Sequence, residues 1–187
     1  MDRISTLLST KKTVFSINEL EKIFFDTEKK TLKQYLFRAK KDNTILNPFR
    51  GIWALPNYDQ KELACKIKKN CYISCETVLF KEGVFFQYHW DTWSCMSERW
   101  GSYSIDQQNY VFYHLKPELL NNPIGIKEYD NYRIATPERA LCDYIYLHPK
   151  SWIDAPESIN RIRLKTILPY YPKATVLAIN KLLDVEY

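Results

Sequence analysis

The sequence has few glycines and no long apolar run, and each absence excludes a class of protein. Only four of its 187 residues are glycine. Neither GxGxxG nor GxxxxGK[ST] occurs, so the glycine-rich phosphate loops of nucleotide-binding enzymes are missing. No apolar run approaches the ~20 residues that a membrane-spanning helix needs. The first twelve residues contain charges in place of the apolar centre of a signal peptide. We therefore expect a cytoplasmic protein with no membrane partner.

The cysteines and histidines do not form the pattern of a metal centre. The chain has five cysteines, an odd number, with no CxxC pair, and its three histidines are scattered. Structural zinc sites usually show two closely spaced ligand pairs, and disulfide frameworks use an even number of cysteines in exported chains. We expect reduced, mostly buried thiols, no metal and no cofactor.

The second half of the chain offers no convincing catalytic group. Glu138 and Asp143 are five residues apart on one predicted helix, so they do not share a face well. Ser94, Cys95 and His89 lie close in sequence, but no Gly-x-Ser-x-Gly elbow and no placed acid accompany them. We predict that the protein has no catalytic residues and is not an enzyme.

Charge is distributed unevenly along the chain. Residues 1–70 contain 15 basic and 8 acidic side chains, whereas residues 71–187 contain 12 basic and 14 acidic ones. A basic first part and a mildly acidic second part indicate two modules with different partners.

The first 58 residues follow the order of a winged helix-turn-helix. A short helix over about 2–9 precedes the sequence Ser16-Ile17-Asn18-Glu19, a capping box that begins a second helix. Asp26 or Thr27 is positioned to cap a third helix over about 28–41. Two short extended runs, 44–47 and 52–55, then flank a four-residue turn and predict a β-hairpin. Three helices followed by a hairpin, the wing, predict a DNA-binding domain.

The third predicted helix has an apolar stripe and a cationic outer face. Leu32, Leu36 and Ala39 fall on one side at helical spacing. We predict that the outer face contacts double-stranded DNA, with Gln34 suited to adenine and Lys33 or Arg38 to guanine. The predicted DNA-binding residues are Lys30, Lys33, Gln34, Phe37, Arg38, Lys41 and, at the tip of the hairpin, Arg50. The alternative is a winged helix used for protein contact, with its lysines merely solvated.

The residues after 58 predict a second domain that contains both helices and strands. We expect a linker helix over 59–70 and an α/β domain over 71–187, so that the whole chain is α+β. Its sheet is expected to be small and mostly antiparallel, with Thr136 and Pro137 starting a helix and further helices at the C-terminus. The expected strands cover about 71–73, 85–88, 91–96, 110–115 and 132–135.

Four segments of the chain resemble the AbiEi family of antitoxins from bacterial type IV toxin–antitoxin systems. They are Arg50–Leu55, Tyr72–Leu79, Tyr110–Leu115 and Ile134–Asp143, within a resemblance that spans about 16–147. The most specific is Ile134-Ala135-Thr136-Pro137-Glu138-Arg139-Ala140-Leu141-Cys142-Asp143, where family members commonly have Lys in place of Arg139.

The resemblance implies a winged helix that binds inverted repeats in the operon's own promoter. It also implies a second domain that neutralises a nucleotidyltransferase toxin, AbiEii, through residues that the sequence does not identify. The protein would then be an antitoxin and a transcriptional autorepressor, with two copies meeting on DNA. One alternative is a winged-helix regulator of another operon with a ligand-sensing or dimerising second domain. Another is a nuclease or other enzyme with a winged-helix targeting domain, which would need two or three acids and a lysine clustered in one concave site of the second half.

Overall fold

The computed structural model describes residues 3–87 and 91–183 and has a mixed α+β fold. The chain divides into two compact units, the first ending at Lys68 and the second beginning at Lys69. None of the helices in the described ranges is both long and apolar enough to span a membrane.

The first unit contains helices, a small sheet and a closing helix. Its elements are α1 (Arg3–Ser9), β1 (Val14–Ser16), α2 (Ile17–Ile23), α3 (Lys29–Lys41), β2 (Leu46–Phe49), β3 (Ile52–Ala54) and α4 (Gln60–Ile67). The sheet has the order β1-β3-β2, and both strand pairs are antiparallel. A core that includes Leu20, Leu32, Leu36 and Ile45 lies among these elements, because α2 and α3 each turn an apolar stripe inward.

The predicted capping box at the start of α2 is confirmed. The Ser16 hydroxyl accepts a hydrogen bond from the Glu19 backbone N–H at 3.2 Å, and the Glu19 carboxylate accepts one from the Ser16 N–H at 2.8 Å. The same carboxylate lies 2.9 Å from the Lys66 ammonium of α4. The capping box therefore also fixes α4 against the start of α2.

Two local predictions in the first unit are wrong. Helix α3 has Glu28 at its N-cap with no side-chain capping bond, whereas Asp26 or Thr27 was expected there. The Thr27 hydroxyl is instead within hydrogen-bonding distance of Arg3 and Asp26. The hairpin turn has two residues rather than four, because Phe49 pairs directly with Ile52.

Helix α4, which the sequence predicted as part of a linker, packs within the first unit. The Glu62 carboxylate accepts hydrogen bonds from the backbone N–H groups of Thr13 and Val14 at 2.8 and 3.0 Å. The Asp59 N–H donates to the Thr13 hydroxyl at 2.9 Å. These bonds hold α4 against the strand β1.

The second unit is a sheet with helices. Its strands are β4 (Tyr72–Ile73), β5 (Thr92–Ser97), β6 (Gly101–Ile105), β7 (Gln108–His114), β8 (Ile126–Glu128) and β9 (Arg133–Ala135). Its α-helices are α5 (Cys75–Lys81), α6 (Pro117–Leu120), α7 (Pro137–Leu147), α8 (Arg161–Ile167) and α9 (Lys173–Leu183), with short 3₁₀ turns at Pro156–Ser158 and Leu168–Tyr170. The strand order is β6-β7-β5-β4-β9-β8.

The sheet of the second unit is mixed: antiparallel pairs predominate among the described strands, as expected, but two of the five pairs are parallel. Among the described strands, the pairs β4–β5, β6–β7 and β8–β9 are antiparallel, whereas β5–β7 and β4–β9 are parallel. Residues 85–87 are not in a strand, contrary to the prediction for 85–88, and Tyr88 lies outside the described residues. Thr136 caps α7 as predicted, since its hydroxyl accepts from the Arg139 N–H.

Candidate nucleic-acid interface

Helix α3 presents a continuous cationic face to solvent. Leu32, Leu36 and Ala39 are buried and set the rotation of the helix. Its six basic residues are all exposed, and the helix contains no acid between its ends. All seven predicted DNA-binding residues are solvent-exposed, namely Lys30, Lys33, Gln34, Phe37, Arg38, Lys41 and Arg50. The six on α3 share its exposed side, and Arg50 lies on a separate element, the turn between β2 and β3.

Little negative charge offsets this face. Lys29, at the first turn, forms an ion pair of 2.9 Å with Glu21 of α2. Within residues 3–87 and 91–183, no carboxylate forms an ion pair with Lys30, Lys33 or Arg38. Ordinary protein surfaces intersperse charges of both signs. The positive potential of the α3 face therefore remains available to an anion.

Phe37 and Lys41 form a pair one helical turn apart. The Phe37 side chain is 60% exposed, and the Lys41 ammonium lies 4.9 Å from the centre of its ring. An exposed cation–π contact of this kind contributes about 0.5–1 kcal/mol. It restricts Lys41 to the face that also holds Lys33 and Gln34.

Aromatic contacts also hold α3 against α1. The Arg3 guanidinium lies 4.6 Å from the ring centre of Tyr35 and 5.7 Å from that of Phe24. Because Tyr35 belongs to α3 and Phe24 follows α2, one side chain connects all three helices. These contacts therefore fix the position of the helix that carries the cationic face.

The hairpin that carries Arg50 is held by side-chain and backbone hydrogen bonds. Gly51 has φ +75°, a left-handed conformation that favours glycine. The Asn47 amide donates to the carbonyls of Phe49 and Ile52 at 2.9 and 2.7 Å. The Ile17 N–H donates to the Gly51 carbonyl at 3.0 Å, which ties the turn to the start of α2. Arg50 consequently projects from a defined two-residue turn.

The second unit contains a buried polar network that sequence reasoning missed. Arg139 and Asp143 of α7 form an ion pair of 3.4 Å, and both side chains are fully buried. The Asp143 carboxylate accepts hydrogen bonds from three hydroxyl groups, those of Tyr72, Ser74 and Tyr171. Arg139 donates to the Tyr72 hydroxyl and to the carbonyls of Leu119, Asn122 and Ile124. The pair thus connects α7 to β4, to Tyr171 and to the chain that follows α6.

The network supports the fold, since the side chains of Arg139, Asp143, Tyr72, Ser74 and Tyr171 are all buried. Burial raises the pKa of Asp143, although Arg139 and the three hydroxyl donors oppose that rise. Burial acts to lower the pKa of Arg139, but the Asp143 carboxylate, Tyr171 and Tyr72 together outweigh it, so that this pKa lies above its usual value. Ser74 occupies the N-cap of α5, where its side chain makes no capping bond and its hydroxyl donates to Asp143. The detectable signal is the spacing of Arg139 and Asp143, four residues apart on one predicted helix.

The other residues considered for chemistry are buried or undescribed. Ser94 and Cys95 have 1% and 0% exposure, Glu138 has 3%, and His89 lies outside the described residues. All five cysteines have free thiols, and burial raises the pKa of Cys75 and Cys142. In the described part of the chain, no three His, Cys, Asp or Glu side chains are grouped to hold a metal ion.

Comparison with known proteins gives a fold relationship. No protein-family model and no curated protein matches this sequence. The structure is similar to the crystal structure of the RV2827C protein from Mycobacterium tuberculosis, with a TM-score of 0.56 and 11% sequence identity. That similarity covers 97% of this chain and 74% of the other. At this identity it concerns the fold alone.

Proposed function

We propose that this protein is a DNA-binding antitoxin that represses its own operon. The first unit acts as a winged helix on double-stranded operator DNA, and the second unit neutralises a nucleotidyltransferase toxin. The observation that carries the DNA-binding part is the exposed face of α3, which is cationic and contains no acid. The antitoxin part rests on the resemblance of four sequence segments to AbiEi antitoxins.

The topology of the first unit supports the winged-helix interpretation. Its elements follow the order helix, strand, helix, helix and hairpin, and the strand between α1 and α2 pairs with the second strand of the hairpin. Only residues 24–28 separate α2 from α3, which is the short connection of a helix-turn-helix. In this arrangement α3 is the recognition helix and the turn at Arg50 is the tip of the wing.

The mechanism follows from the chemistry of the exposed side chains. With α3 in the major groove, Lys30, Lys33 and Lys41 neutralise phosphates and release counterions. Gln34 has the donor and acceptor that match the edge of adenine, and Arg38 matches guanine. Arg50 contacts a phosphate or the adjacent minor groove. Two copies occupy the two halves of an inverted repeat.

The test compares two variants that lose the same charge. In the first, Lys30, Lys33 and Arg38 become Ala. In the matched control, the exposed Lys81, Lys116 and Lys127 of the second unit become Ala. Fluorescence anisotropy with a labelled duplex from the promoter of the chain's own operon measures affinity between 50 and 200 mM salt. We expect loss of binding for the α3 variant only, with the salt slope falling by about 0.9 for each lost phosphate contact.

A growth assay separates repression from neutralisation. The α3 variant is co-expressed with the nucleotidyltransferase that the proposal places in the same operon, and it should still rescue growth because its second unit is unchanged. Promoter binding by the α3 variant equal to that of the control would overturn the DNA-binding proposal. Loss of growth rescue by the α3 variant alone would contradict the division of the two activities between the units. A folded wild-type chain that never rescues growth would refute the antitoxin proposal.

A further inference from the structure

The last two helices of the second unit form a cationic segment within an otherwise acidic part of the chain. Residues 161–183 contain five basic residues and no acid, although residues 71–187 as a whole carry two more acids than bases. The five are Arg161, Arg163, Lys165, Lys173 and Lys181, and all are exposed. Exposed cations concentrated in this way attract anions.

A groove lies at one side of this segment, between α9 and the chain that follows α7. Its volume is about 330 Å³, and its walls include Lys150, Trp152, Ala178, Lys181 and Leu182. Among the described residues, no acid lines it. The indole of Trp152 is 62% exposed, so the groove offers an aromatic ring together with two ammonium groups.

Neighbouring residues hold Trp152 in position. Ile153 and Ala155 are buried, with 2% and 3% exposure. The backbone N–H groups of Asp154 and Ala155 both donate to the Val84 carbonyl at 3.2 Å. The Asp154 carboxylate, the acid closest to Trp152 in sequence, accepts a hydrogen bond from the Phe86 N–H at 2.8 Å. The chain that directly follows the exposed indole is therefore anchored.

We propose that the groove and the α8–α9 segment bind single-stranded nucleic acid. One base stacks on the indole of Trp152, Lys150 and Lys181 contact the phosphates on either side, and the remaining cations extend the path of the backbone. Aromatic stacking within a cationic groove is the usual chemistry of single-strand binding, because every base has a face that can stack. A duplex does not fit this role, since its bases are already stacked inside the helix. The site is independent of the duplex-binding face proposed for α3.

The stacking contact is tested by fluorescence anisotropy with a labelled twelve-nucleotide RNA of mixed sequence. The full-length chain used as the reference carries Lys30→Ala, Lys33→Ala and Arg38→Ala, so that the α3 face does not contribute. In this background, Trp152→Ala should weaken binding about tenfold, and Trp152→Phe should restore most of it. Trp100→Ala is the matched control, because Trp100 is 68% exposed and lies elsewhere in the second unit. Equal affinities for the Trp152→Ala and Trp100→Ala variants would overturn the proposal.

The charged contacts and the class of partner are tested with the same reference chain. Lys150→Gln and Lys181→Gln should each lower the slope of log affinity against log salt by about 0.7, whereas Lys127→Gln should not change it. A duplex of the same sequence should bind more weakly than the single strand. Equal binding of the duplex would refute single-strand recognition. Competition by polyglutamate as effective as that by unlabelled RNA would instead identify a surface for acidic proteins.

Discussion

The replacement of Asp143 by Asn removes one charge from the buried network while almost preserving its shape. Arg139 then remains as a fully buried cation without its ion-pair partner. Removal of one member of a buried ion pair costs about 3–5 kcal/mol, since the remaining charge is left uncompensated. This loss is a large part of the 5–15 kcal/mol by which most domains are stable.

The magnitude can be converted into a thermal shift for the second unit. This unit comprises residues 69–187, and an unfolding entropy of about 2.1 cal/mol/K per residue gives about 4 °C for each kcal/mol. We therefore expect Asp143→Asn to lower the midpoint of its transition by about 12–20 °C. Circular dichroism and calorimetric melts of the full chain report this shift, and duplex binding by the first unit should survive at 25 °C.

The matched control is Glu128→Gln, which removes the same charge from an exposed pair. The Glu128 carboxylate lies 3.2 Å from the guanidinium of Arg133, and the Glu128 side chain is 71% exposed. Exposed ion pairs contribute about 0–1 kcal/mol because solvent screens them. A loss below 1 kcal/mol for Asp143→Asn, or equal losses for the two variants, would refute the structural role assigned to the network.

Two further predictions concern the packing around α2 and α7. Burial alone would raise the pKa of Glu19, but hydrogen bonds from Lys66 and Ser16 lower it from 4.5 to about 2. The ionised Glu19 carboxylate therefore stabilises the folded state fully above pH 4.5, and this contribution is lost as the pH falls towards 2. Glu19→Gln should cost about 1–2 kcal/mol at pH 7 and less at pH 3 in denaturant titrations; an equal cost at both values would contradict this. Gly125→Ala should destabilise the second unit. A Cβ added at this position would lie 2.8 Å from Arg139 Cβ and 2.9 Å from Ile167 Cδ1, and the Gly125 backbone has a left-handed φ of +77° that favours glycine. An unchanged melt of that variant would show that the contact relaxes freely.

The elements that could be predicted from the sequence are those specified by local residues. The capping box at Ser16, the cap at Thr136 and the apolar stripe of α3 depend on side chains within one or two helical turns. Strand β1 could not be predicted in this way, because it has three residues and its partner Ile52–Ala54 lies far along the chain. The pairing of β5 with β7 is parallel and likewise depends on contacts outside each strand. The run at 85–88 is the reverse case, a strand predicted where none forms. Its aromatic residues favour a strand, but residues 85–87 do not adopt one.

The candidate interface was easier to predict than the buried network. Exposure of Arg38 follows directly from the position of Leu36 on the opposite side of the same helix. Asp143, by contrast, is bound by groups from β4 and from Tyr171, which no sequence pattern connects. The sequence led us to compare Asp143 with Glu138 as possible catalytic acids, and not with Arg139, its ion-pair partner one helical turn away. Local periodicity thus locates a surface, whereas a buried cluster requires the tertiary fold.

The segments that carry the resemblance to AbiEi antitoxins are largely interior. In the segment 134–143, Arg139, Leu141 and Asp143 have no exposed side-chain surface, and in 110–115 Tyr110 and Phe112 are fully buried. Buried residues of this kind specify how a chain packs, and partners contact the residues that remain exposed. The resemblance in these segments therefore concerns mainly how the chain folds. The cationic faces of α3 and of α8–α9, for which we propose nucleic-acid binding, lie outside these segments, whereas Arg50 is an exposed residue within one of them.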